Sequence, residues 1–128
     1  MIKSFKLARA GLLVGLLSLI LGCASAEIAP TTNPAIRGSI TNRNDAGGQG
    51  GLVGSILVEG NIESDTQFDK ASIAITPETH IFEQVGQEQS PATFEALQAG
   101  QQVEAWFTGP VAESYPVQAV ASDIVILK

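Results

Sequence analysis

The chain has 128 residues, enough for one domain, and 7 Lys or Arg against 13 Asp or Glu. Its single cysteine excludes a disulfide framework. Three basic residues lie in the first nine positions, so the chain beyond residue 22 holds 4 basic and 13 acidic groups, a net charge of −9. That balance speaks against nucleic acid as a partner, because a bare phosphate backbone needs positive charge.

Lys3, Lys6 and Arg9 precede an uncharged run, AGLLVGLLSLIL, Ala10 to Leu21. A positive start followed by an apolar core of this length is the pattern of a signal peptide. As a helix the run would reach roughly 18 Å, short of the ~30 Å hydrocarbon core, so a membrane-spanning anchor is the weaker reading. The next four residues, ILGC, resemble the lipobox of bacterial lipoproteins. There a small residue precedes a cysteine that receives diacylglycerol and becomes the new N-terminus. Gly22 and Cys23 match this pattern, while Leu21 stands where a smaller residue is commoner. Ordinary cleavage after Ala24 or Ala26 is the alternative. The resemblance implies a signal peptide over residues 1–22 and lipid attachment at Cys23. It places the protein in the bacterial cell envelope, extracytoplasmic and membrane-anchored. Residues 23–35 contain Pro30 and Pro34 with no helical or strand period, and are expected to form a flexible tether.

Residues 36–128 remain for a domain, which at that size buries roughly two-thirds of its unfolded surface. AIRGSITN, Ala35 to Asn42, reads as a first strand, and the glycine-rich DAGGQGG after it as a loop. LVGSILVEG, Leu52 to Gly60, is apolar and β-branched, a second strand. The acidic loop Asn61–Asp69 leads to KASIAIT, in which Ala71, Ile73 and Ile75 face one side, a third strand. THIFE, Thr79 to Glu83, extends its edge. In SPATFEALQAG, Ser90 suits a cap, Pro91 the first helical position and Gly100 the residue past the end, so one short helix is expected there. QQVEAWFTG returns to alternation, with Val103, Ala105 and Phe107 inward. Val117–Lys128 forms the last strand, its alternation slipping around Ala121–Asp123 as at a bulge. The expected fold is mainly β: a small five-stranded OB-like β-barrel with one short helix between strands three and four. An open β-roll built from the same strands is the competing arrangement.

AGQQVEAWFTGPVAESYPVQAVAS, Ala99 to Ser122, and DKASIAITPETHIF, Asp69 to Phe82, resemble the YobA-like family of small exported bacterial domains of unknown function. The resemblance covers most of residues 50–128. It implies an exported, often lipid-anchored β domain and carries no activity with it.

Within that segment Trp106, Glu113, Tyr115 and Gln118 have two readings. They form a recognition patch beside the loop between the last two strands, flanked by the glycine-rich loop. Alternatively, Tyr115-Pro116 locks a corner of the barrel and Trp106 covers its bottom. Catalytic chemistry is sparse. His80 is the only histidine, which opposes a zinc site and a Ser-His-Asp triad. Glu63, Asp65 and Asp69 echo a calcium loop, but Lys70 and Thr76 stand where glycine and glutamate belong, so a solvated acidic loop is the better reading. No metal, cofactor or catalytic residue is expected. The expected role is non-catalytic binding of an envelope protein or an oligosaccharide. The alternatives are a purely structural part in envelope assembly and a hydrolase built on exposed carboxylates such as Glu104 and Glu113.

Overall fold

The computed structural model describes residues 28–128; residues 1–22, expected as a signal peptide, and Cys23 lie outside the described residues. Seven strands make one sheet: β1 (Ile36–Asp45), β2 (Gly54–Glu59), β3 (Lys70–Ile75), β4 (His80–Val85), β5 (Glu88–Ala92), β6 (Gln102–Ala112) and β7 (Val117–Leu127). Two three-residue 3-10 turns, Gln49–Gly51 and Phe94–Ala96, are the only helical elements among the described residues.

The sheet closes on itself. Antiparallel pairs join β1 to β2, β2 to β3, β1 to β6 and β6 to β7, and a parallel pair between β3 and β7 completes a five-stranded barrel. Alternation decides what faces inward, since side chains two apart share a face. Ile36 and Ile40 of β1, Ile56 and Val58 of β2, Ala71, Ile73 and Ile75 of β3, and Val103 and Ala105 of β6 all enter one core. The period-two assignments for the third strand and for Val103 and Ala105 hold. Phe107 is only partly buried and packs against the edge of this core.

Two glycines let β1 cross the end of β2. A Cβ on Gly38 would run into the Glu59 carbonyl, and one on Gly60 into the Arg37 carbonyl, so only glycine permits that approach.

β7 is long enough to serve two partners on one edge. Its first half pairs with β3 and its second half, from Asp123, pairs in parallel with β4. Between them Trp106 opposes Asp123 and Phe107 opposes Ala121, leaving Ser122 as the extra residue of a bulge. The Ser122 hydroxyl donates to the Trp106 carbonyl at 3.3 Å. This bulge is the slip seen in the sequence.

The expected helix over residues 90–100 is not present. Ser90 and Pro91 instead lie in β5, opposite Glu83 and Phe82 of β4, and Gly86 at φ 63° turns the two strands into a hairpin. Pro91 fits there because β5 pairs only with β4 and its other edge needs no N–H. The stripe of Phe94 and Leu97 is real, for both are buried, but a single 3-10 turn supplies it.

Residues 28–35, within the expected tether, run across the outside of the barrel. Ala29 is buried against Phe82 and Val125, with Trp106 and Leu127 beside them. The Ala29 N–H donates to Gln89 Oε1 at 3.2 Å, and the Ala35 N–H to the Ala105 carbonyl at 2.9 Å.

Candidate functional site

Of the residues singled out in the sequence, Trp106 and Glu104 lie on β6, Gln118 on β7, and Glu113 and Tyr115 on the loop between them. Between the pairs Thr108–Val120 and Ala112–Gln118, β6 has three residues where β7 has one. This stretch, Gly109 to Val111, bows away from the sheet, with Gly109 at a φ of 74° that favours glycine. Val111 at the crest of this bow lines a groove on either side of it.

The first groove, about 470 Å³, runs along the barrel wall. Ser55 of β2, Ser72 and Ala74 of β3 and Gln118 of β7 line it, with Leu52 at one end and Val111 overhanging. Leu52 follows the glycine-rich loop and Pro110 to Ala112 belong to β6, so neither the glycines of that loop nor residues 113–116 between β6 and β7 line this groove. No charged residue lines it.

The second groove, about 430 Å³, lies where β1 begins. Trp106 and the neighbouring pair Phe68 and Phe107, with centroids 5.8 Å apart, meet there the polar residues Asn33, Ser64 and Gln67. The loop that supplies Ser64 and Gln67 is tightly built. The Glu63 N–H donates to the Thr66 hydroxyl at 2.8 Å, and the Gln67 N–H to the Ala35 carbonyl at 2.9 Å.

Trp106 and Gln118 therefore belong to different grooves. Trp106 is clasped by the N-terminal segment, its indole N–H donating to the Thr32 carbonyl at 3.0 Å. Tyr115 projects from the β6–β7 loop, 68% exposed, and its hydroxyl donates to Asp69 Oδ2 at 3.3 Å. Loss of solvent and the Asp69 carboxylate push this phenol above its ordinary pKa. The Gln118 amide donates to Ser114 Oγ at 3.3 Å, which ties it to the same loop. Glu113 is exposed on that loop.

A charge cluster that sequence reasoning missed sits beside the second groove. The Arg37 guanidinium grips Asp65 with two hydrogen bonds, at 2.7 and 3.0 Å, bonds Glu104 through Nε at 2.8 Å, and also bonds Glu63. Its planar fork matches a carboxylate edge, which an ammonium would not. The Arg37 hydrogen bonds hold the Asp65 carboxyl below the usual range, and the Asp65, Glu104 and Glu63 carboxylates raise the arginine further. Two members of the suggested calcium set are thus bound to Arg37, and the third, Asp69, meets Tyr115. Glu104, one of the two carboxylates considered for hydrolysis, is committed to the same arginine. His80 begins β4 and sits 3.5 Å from Asp123, 54% exposed. The signal for the Arg37 cluster was an isolated arginine in a strand of an acidic chain, which names no partner by itself.

Comparison with curated proteins and with solved structures finds no match. A family model, described as protein of unknown function (DUF3221), matches residues 54–128, from β2 through β7. That stretch holds the β6 residues of both grooves, the β7 residues of the first and more than half of the chain, and the protein belongs to this family.

Proposed function

We propose that the protein is a lipid-anchored, extracytoplasmic member of the YobA-like group whose barrel is of the OB-like kind and whose role is non-catalytic binding. The strand order supports the barrel reading. β1, β2, β3, β7 and β6 follow one another around the wall, with β3 and β7 parallel, and the β4–β5 hairpin occupies the position where an OB-fold carries its helix.

The observation that carries the binding role is the neutral groove on the β2–β3–β7 wall. In a chain with a net charge of −9 beyond residue 22, this groove is lined by no charged residue and is bordered by Leu52 and by Pro110 to Ala112 of β6. Small side chains, Ser55, Ser72 and Ala74, leave room for an extended segment, and none offers an aromatic face. An envelope protein fits that chemistry better than a sugar. Catalysis is left out because Glu104 is held by Arg37 and Glu113 lies outside the lining of either groove.

Two measurements test the reading. The intact mass of the mature chain from membranes is expected to start at Cys23 with diacylglycerol; a soluble chain starting at Ser25 or Glu27 refutes the anchor. A photo-crosslinking residue at Ser72 is expected to capture a protein partner, whereas the same residue at Glu78, outside the groove, does not. Equal capture at both positions, or capture that survives Ala74→Arg, refutes the groove.

A further inference from the structure

We infer that the Trp106 groove is a binding site for a neutral oligosaccharide, separate from the wall groove and independent of any lipid anchor. Three of the six aromatic residues between residues 28 and 128, Phe68, Trp106 and Phe107, line this one depression, with Phe107 paired with Phe68. A sugar ring presents an apolar C–H face that stacks on such rings, and a ring of hydroxyls around its edge that needs hydrogen-bond partners. Asn33, Ser64 and Gln67 supply amide and hydroxyl groups beside the aromatics, and all three are exposed. The groove thus combines an aromatic surface with neutral polar groups, which the wall groove does not.

Its parts are also held in place before any ligand arrives. The Trp106 indole is fixed through its N–H to Thr32, and the Gln67 backbone through Ala35. Binding to a surface already ordered loses less side-chain entropy. Asp65 lines the groove as well, with its charge opposed by the guanidinium of Arg37. Its carboxylate has lone pairs left to accept from sugar hydroxyls. The acidic surroundings disfavour a polyanionic glycan, which leaves the neutral class.

Trp106 is the only tryptophan, so its emission reports on this groove and on the N-terminal segment packed beside it. The test titrates the full chain with chitotetraose, cellotetraose and maltotetraose. At least one is expected to shift the emission saturably, with a Kd of about 1 mM or tighter. Asn33→Ala and Gln67→Ala are expected to weaken that Kd by about fivefold each while leaving the unfolding midpoint in place. Absence of a saturable shift with all three sugars overturns the inference. So does a shift that both variants leave unchanged, or an equal shift with a neutral octapeptide, which would make the groove a peptide site.

Discussion

The ring tip of Phe94 occupies the space that a side chain on Gly54 would need. Phe94 comes from the 3-10 turn after β5 and Gly54 opens β2, so this contact plugs one end of the barrel. A Cβ there would also strike the Asn44 carbonyl, which is backbone and cannot rotate away. Gly54→Ala is therefore expected to cost about 1–3 kcal/mol, read as a lowered denaturation midpoint. Phe94→Leu should restore only part of it, since the Asn44 clash remains. Full restoration would show that the ring alone sets the constraint.

Arg37→Lys removes the fork that grips Asp65 while reaching Glu104 and Glu63. The sites are partly buried, with the arginine side chain 20% exposed, so the expected loss is about 2 kcal/mol, between the values for surface and buried ion pairs. Amide exchange over residues 61–69 should accelerate in the variant more than exchange in β3. Uniform acceleration would mean that Arg37 supports the whole barrel and not the loop.

Acid should release the same loop. Asp65 has a carboxyl held below its ordinary value of 3.8 by Arg37, so its stabilising effect is complete above that value. It is lost as pH falls from about 4 through the lower folded value. In Asp65→Asn this part of the acid dependence is expected to vanish, leaving a flatter stability profile below about pH 4. A profile identical to that of the parent chain would remove Asp65 as its source.

Ala29 packs against Phe82 and Val125, outside the barrel core. Ala29→Asp places a carboxylate in that contact, a burial that is unfavourable without a partner. The N-terminal segment is expected to lift off, shifting Trp106 emission to the red, while the main unfolding transition moves by less than about 1 kcal/mol. Collapse of the whole fold would mean that the segment is part of the barrel's cooperative unit.

Much of the barrel is legible in residue periodicity. KASIAIT alternates because one face is core and the other wall, and the slip at Ala121–Asp123 marks a bulge that hydrogen bonding then displays. The hairpin was not legible for a physical reason. Ser, Pro and a later Gly satisfy a helix's ends and a hairpin's edge equally well, and only pairing with β4 selects between them. The candidate patch was half legible. Its residue types suit recognition, and Gln118 does line the wall groove. The bow at Gly109–Val111, however, sends Trp106 and Gln118 to opposite sides, and sequence distance says nothing about which side of a crest a residue takes.

β7 is the strand on which closure depends, because its two halves join β3 and β4 in parallel while β6 takes its other edge. A chain made from its N-terminus holds β1 to β6 for the whole of its synthesis without the strand that seals them. These parallel pairings join strands far apart in sequence, and such non-local contacts are slow to form. The five-stranded wall therefore cannot close until residues 117–127 are in place between β3 and β6.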